Sequence, residues 1–288
     1  MTEWWRDAVI YQIYPRSFQD SDGTGTGDLR GITRRLDHVA SLGVDAIWLS
    51  PFFASPDRDM GYDVSDYTAV SDTYGDIADF DALLARAHNL RLRVIIDQVV
   101  NHSSDQHPWF VESRASRDNP KSNWYIWADP GPAGEPPNNW LAVFGGSSWQ
   151  FDARRRQYYL HSFLPEQPDL NFRNPDLMAA VQDAMRFWLD RGVDGFRLDT
   201  SNYYMKDAQL RSNPPRPYDT FPINPYDAQS HRYDISQPGN LDVLRAFRAL
   251  ADDYPDRMLV GEVGDAERQI ELMGEYTSGN DKLHLAYS

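Results

Sequence analysis

Two carboxylates close apolar runs in this sequence, in a setting suited to nucleophilic and acid–base work. Asp199 follows Val193-Asp194-Gly195-Phe196-Arg197-Leu198, and Glu262 follows Met258-Leu259-Val260-Gly261. If both runs are strands whose ends meet, the pair is the minimal kit for cleaving a glycosidic bond with retention. One carboxylate attacks the anomeric carbon, while the other protonates the leaving oxygen and then activates water. Apolar neighbours would raise the pKa of the acid, and a nearby cation would keep the nucleophile charged. Arg197 precedes Asp199 by two residues, so an extended strand points both side chains to one face. A structural ion pair at a strand end has the same spacing.

Other polar groups fall where a sugar could use them. His102 follows Asp97 by five residues; it is either a structural histidine or a donor to a ring hydroxyl that avoids the charge problem of a lysine. Asp59-Met60-Gly61-Tyr62-Asp63 reads as a plain turn or as a carboxylate for outer sugar hydroxyls beside a stacking tyrosine. Asp20-Ser21-Asp22-Gly23-Thr24-Gly25-Thr26-Gly27-Asp28 has oxygen-bearing side chains at alternate positions and Gly25 sixth, the spacing of an EF-hand-like calcium loop. Gly31 stands where such a loop carries its last glutamate. A glycine-rich turn without an ion is the other reading.

These residues must be positioned by a scaffold, and the chain alternates β-branched runs with stretches of helical period, the pattern of βα units on a parallel sheet. Strands are expected at 8–14, 44–49, 93–100, 193–198, 258–263 and 283–287, and helices at 29–42, 77–90, 175–191, 241–254 and 266–276. The rhythm breaks over 103–168, a segment rich in Trp, Pro, Asn and Gly that is too long for an ordinary βα loop and reads as an inserted subdomain. The expected division is therefore barrel residues 1–102, an inserted domain over 103–168, and barrel residues 169–288. Six strands fit an open doubly wound sheet or part of an eight-stranded barrel. Asp97, Asp199 and Glu262 all lie at C-terminal strand ends, where barrels keep their chemistry, and this favours the barrel.

Composition narrows the partners. A net charge of −15 argues against nucleic acid, which requires a basic face. Aromatic residues make up 13% of the chain, either as packing or as the walls of a cleft for sugars, which present a C–H face and a rim of hydroxyls. The absence of cysteine excludes disulfides, thiolate catalysis and zinc–thiolate sites. Residues 1–7 have no basic stretch leading into an apolar run, and no window is apolar enough to span a membrane, so a cytoplasmic location without membrane attachment is expected. Nothing in the sequence fixes an oligomeric state.

Taken together, these segments resemble the α-amylase family, glycoside hydrolase family 13, and within it the α-glucosidase and oligo-1,6-glucosidase group. Asp97-Gln98-Val99-Val100-Asn101-His102 is similar to the first family signature, Gly195 to Thr200 to the second and Gly261-Glu262-Val263 to the third. Gln167-Pro168-Asp169-Leu170-Asn171 is similar to the additional signature of the oligoglucosidase group. The resemblance implies an α/β fold, a (β/α)8 TIM barrel with a small domain B after strand 3, of which this chain holds about six strands. It makes Asp199 the nucleophile and Glu262 the general acid/base. Asp59, Tyr62, His102, Phe144, Phe163 and Arg197 become the lining of the pocket for the non-reducing glucose. It also implies one structural calcium or magnesium ion on Asp20, Asp22, Thr24, Thr26 and Asp28, with no organic cofactor, and Thr24 removes a negative ligand present in many members.

Thr200, after the nucleophile, implies α-1,4-linked, maltose-like substrates, with oligo-1,6-glucosidase or transglycosylating activity such as sucrose isomerase or trehalose synthase as alternatives. A non-catalytic subunit would have lost a carboxylate and gained an anchor. The family's third carboxylate, in an Asn-His-Asp motif after strand 7, would lie beyond Ser288, so residues 1–288 alone are expected to show little or no activity.

Overall fold

The computed structural model describes residues 3–220 and 222–288. Its elements run β1 (Ile10–Ile13), α1 (Pro15–Phe18), α2 (Leu29–Ser41), β2 (Ala46–Leu49), β3 (Phe53–Ala54), β4 (Asp66–Val70), α3 (Ile77–Asn89) and β5 (Arg93–Gln98). There follow α4 (Pro108–Ser113), β6 (Trp127–Ala128), β7 (Trp149–Asp152), β8 (Gln157–Leu160), α5 (Pro175–Asp190), β9 (Gly195–Leu198), α6 (Asn240–Asp252), β10 (Met258–Glu262), α7 (Gln269–Thr277) and β11 (Leu285–Tyr287).

The parallel sheet has the order β1-β2-β5-β9-β10-β11. Chain order and spatial order coincide, so every crossover steps the same way. A doubly wound sheet would reverse at a switch point; steady progression is how a barrel wall is built. With β1 and β11 as its edges, the sheet is a TIM barrel of which six strands are present.

Several strands are shorter than the apolar runs that announce them. Val193 and Leu283 are buried, but their amides donate to the carbonyls of Trp188 and Tyr276 rather than to a neighbouring strand. Burial and pairing thus part company at the strand starts. The helix starts are set by caps: Asp28 accepts from Gly31 N, Asp76 and Asp79 form a capping box, and Asn174 caps a helix whose first residue is Pro175.

The register assigns each strand residue to one of two faces. Trp48 pairs with Ile95, Ile95 with Gly195, Gly195 with Met258, and Val260 with Leu285, so these side chains share the barrel interior. Their packed cluster also takes in Trp4 and Trp5. The alternate residues Ile47, Leu49, Val94, Ile96, Phe196, Leu198 and Leu259 face the helices and join the larger core. Gly195 is required by this closeness, since a Cβ there would stand 2.4 Å from the Met258 carbonyl oxygen.

Between β5 and α5 lie α4 and a separate antiparallel sheet, β6-β8-β7, with a small core of Ala128, Trp140, Trp149 and Leu160. The loop after β9 is tied to this insert: Asn139 Nδ2 donates to the Asn213 carbonyl, and Trp140 Nε1 to the Arg211 carbonyl. Insert and loop together wall one side of the barrel mouth. Among the described residues no helix is long and apolar enough to cross a membrane.

Candidate active site

Interior parity carried to the C-terminal ends of the strands brings Asp97, Arg197, Glu262 and Tyr287 to the same face: Asp97 pairs with Arg197 and Glu262 with Tyr287. Arg197 becomes their hub. Its Nη1 donates to Asp97 Oδ1 and to Asp199 Oδ1, each at 2.7 Å, its Nη2 to Glu262 Oε2 at 2.6 Å, and its Nε to the Tyr287 hydroxyl at 2.8 Å. The guanidinium lies 5.1 Å from the Trp48 ring centroid, and Trp48 Nε1 donates to Asp97 Oδ2 at 3.2 Å. One cation therefore serves three acids.

The protonation pattern follows from that imbalance. Burial pushes Asp97 up to about 7 against the pull of Arg197, and burial likewise raises Glu262, with Arg197 again opposing. Burial would lower Arg197, but Asp97, Asp199 and Glu262 outweigh it and hold the guanidinium above its usual range. An acid raised by burial, sharing a guanidinium with a second carboxyl group, is the arrangement paired-carboxylate catalysis uses.

Asp199, Glu262, Arg197, Thr200, Asp59, Tyr62, His102, Phe144 and Phe163 line one cavity of about 240 Å3. Thr200 has φ of +41°, an outlier for a β-branched residue. The turn aims Thr200 N at Glu262 Oε2 (3.2 Å) and sets its hydroxyl 3.3 Å from Asp199 Oδ2. Backbone strain here has a use. Asp63, fully buried, accepts from Ser55 Oγ and from the amides of Arg58 and Asp59, and so shapes the loop that presents Asp59 and Tyr62.

His102 Nε2 lies 3.2 Å from the Tyr62 carbonyl oxygen, and Nδ1 lies 3.2 Å from Asn101 Nδ2. Phe163 packs against His102 at 5.2 Å and Phe144 against Phe163 at 5.7 Å, with Phe144 the exposed lip. Burial raises Asp59, opposed by a hydrogen bond from Gln167.

The 20–28 loop brings carboxylate oxygens of Asp20, Asp22 and Asp28 within 4.8 Å of one another. Amides of Gly25, Gly23 and Asp22 hold Asp20 down to about 2. Asp28 also caps α2 and accepts from Ser21 N, a second duty absent from the spacing argument. Thr24 Oγ1 sits 3.4 Å from both Thr26 N and Thr26 O. A hard-oxygen cluster of three carboxylates fits a small divalent cation.

The sequence reading gave no role of their own to Trp48, Tyr287, Asp63 and Gln167. The first two follow from strand parity once the strand ends are known, and the other two come from loops that carry no period.

The family model described as "Alpha amylase, catalytic domain" matches residues 12–288. A protein of Rhizobium meliloti (strain 1021) named "Probable alpha-glucosidase" is 60% identical over 99% of the chain and 53% of its own length. An "Oligo-1,6-glucosidase" of Halalkalibacterium halodurans is 47% identical over 99% and 49%. The chain thus spans about half the length of these curated relatives. Among solved structures, an α-glucosyl transfer enzyme superposes with a TM-score of 0.97 at 54% identity, covering 100% of this chain and 55% of that one. A trehalulose synthase gives 0.89 at 41% identity, covering 99% and 50%.

Proposed function

The chain belongs to the α-amylase catalytic-domain family, and from that premise we propose that it is the part of a retaining α-glucosidase that holds nucleophile and acid/base. The reading rests on one observation above all: Arg197 touches both Asp199 and Glu262. Both carboxyl groups accept from that one guanidinium, at 2.7 and 2.6 Å, which supports the narrow, retaining spacing over the wider gap that admits a water.

Asp199 attacks the anomeric carbon of a terminal glucose as Glu262 gives its proton to the departing oxygen. Glu262, now a carboxylate, takes a proton from water, which attacks the glucosyl ester and frees glucose with its α configuration. Asp59, Tyr62, His102, Phe144, Phe163 and Arg197 surround the glucose. A second cavity of about 590 Å3, lined in part by Tyr203 and by Gly264 to Arg268 just beyond Glu262, gives the leaving group room on the side of the acid. Thr200 favours α-1,4-linked substrates such as maltose.

Treating the full-length protein with 5-fluoro-α-glucosyl fluoride tests the assignment: the peptide containing Asp199 should gain the mass of one fluoroglucosyl group. Label on another residue, or none while glucosides are turned over, defeats it. The likeness to an α-glucosyl transfer enzyme favours transfer of the glucosyl group to an acceptor other than water as the second reading, and products from maltose and sucrose separate the two.

The 20–28 loop is assigned one calcium or magnesium ion on Asp20, Asp22 and Asp28, with Thr24 and Thr26 completing the shell. It would brace the start of α2 without entering the chemistry. Calcium added to chelator-treated protein should raise Tm, at about 2–4 °C per kcal/mol of binding. Asp22→Asn should remove that increment while leaving the ion-free Tm nearly unchanged; an equal calcium response in both proteins counts against the site.

A further inference from the structure

Ser201 and Asn202, the two residues after the strained turn at Thr200, are fully buried, and neither lines the sugar cavity. The ladder between β9 and β10 ends at the pair Leu198 and Gly261, because the turn that aims Thr200 leaves the strand direction. Side chains then take over from the backbone. Ser201 N and Ser201 Oγ both donate to the Glu262 carbonyl oxygen, at 2.8 and 2.6 Å. Gly261 makes room for this approach, since a Cβ there would stand 2.7 Å from Ser201 Oγ.

Asn202 repeats the pattern two residues further along. Gly264 N can only donate, so the amide atom facing it at 3.1 Å is Oδ1. Nδ2 then donates to the Gly264 carbonyl at 2.9 Å and to Ser236 Oγ at 3.0 Å. A carboxamide carries the donor and the acceptor of a peptide group, and here it pairs with Gly264 as a strand neighbour would. The brace is itself anchored: Asn240 Nδ2 of α6 donates to the Ser201 carbonyl at 2.7 Å, and Ser236 N to the Asn202 carbonyl at 2.7 Å.

We propose that Ser201 and Asn202 are positioning residues for the acid: they register the exit of β10 against the turn that carries Asp199, and so fix where Glu262 stands relative to the bond it protonates. The inference rests on the glucosidase reading and deepens it. Glu262 is the last residue of β10 and lies beyond the last backbone pair with β9; on its other side it pairs with Tyr287 of β11. Asp199 has an independent hold, because its amide donates to the Gln98 carbonyl of β5 at 3.2 Å. Loosening the brace therefore displaces the acid more than the nucleophile. Proton transfer requires hydrogen-bond reach, and a misplacement of about 1 Å costs about 10^2-fold.

The test compares kcat/KM of full-length wild type, Ser201→Ala and Asn202→Ala on two kinds of substrate. One is the better cleaved of maltose and isomaltose, whose leaving sugar requires a proton; the other is α-glucosyl fluoride, whose leaving group does not. Each variant should lose about 30- to 100-fold on the disaccharide and less than about threefold on the fluoride. A merely structural role would lower both alike through the fraction of folded protein, and equal losses overturn the proposal. Wild-type rates in both variants, or failure of both to fold, overturn it as well. A wild type that cleaves neither disaccharide defeats the glucosidase reading instead.

Discussion

Glu262→Gln should slow hydrolysis of maltose by about 10^2- to 10^4-fold, the usual contribution of a positioned general acid–base group. The loss should depend on the leaving group. Fluoride departs without a proton, so formation of the glucosyl-enzyme from α-glucosyl fluoride should be slowed far less. Its hydrolysis should then lack a base, and the intermediate should accumulate. Azide needs no base to attack and should restore turnover, giving α-glucosyl azide by a second inversion at the anomeric carbon. The shape of Gln matches Glu, so the contacts to Arg197 Nη2 and Thr200 N at 2.6 and 3.2 Å survive in part. Equal losses on maltose and fluoride, or a β-azide product, would rule out the assigned role.

Arg197→Met should be nearly as damaging to turnover and more damaging to the fold. It leaves Asp97, Asp199 and Glu262 around a site with no counter-charge. Breaking a buried pair by removing one partner costs roughly 3–5 kcal/mol, and here one residue serves three partners. The pH dependence has a definite sign. Asp97, raised to about 7, and Glu262, also raised, contribute stability that is full below their unfolded values near 4 and is lost as pH rises through their folded values. Without Arg197 those values climb further, so the deficit of the variant should widen between pH 5.5 and pH 8. His107 and His284, lowered to about 4 by burial, titrate in the opposite sense but in both proteins, and cancel in the difference. Urea unfolding at the two pH values measures it; a deficit that shrinks at pH 8 would contradict the charge imbalance.

The legible part of this molecule is what repeats. Helices α2, α3 and α5 carry both an apolar period and a cap, and their starts at Leu29, Ile77 and Pro175 fall where the sequence places them. The strands are legible as apolar runs but not in length, because Val193 and Leu283 are buried by packing without joining the ladder. Asp199, Glu262 and Arg197 could be found because a two-residue period leads to them. Thr200 could not be foreseen in a left-handed turn, since local propensity opposes it and only the contacts to Asp199 and Glu262 account for it. Gln167 is further from view: it meets Asp59 across 108 residues of chain, and no local pattern encodes such a meeting. Its motif was recognisable, but its contacts were not.

The interior of the barrel floor has a temporal consequence. Trp5 packs its ring 4.5 Å from that of His284, and Trp4 Nε1 donates to the Asp256 carbonyl. Residues near the beginning of the chain are therefore held by residues some 250 positions later. During synthesis, at about 5–20 residues per second, the two tryptophans would leave the ribosome roughly 12–50 seconds before their partners. For that interval the two rings have only Ile10, Ala46, Trp48 and Ile95 of the early strands to pack on, and the first strands can pair but the floor cannot close. Folding of this architecture is thus timed by its latest strands, and two tryptophans of the floor are made long before the residues that complete it.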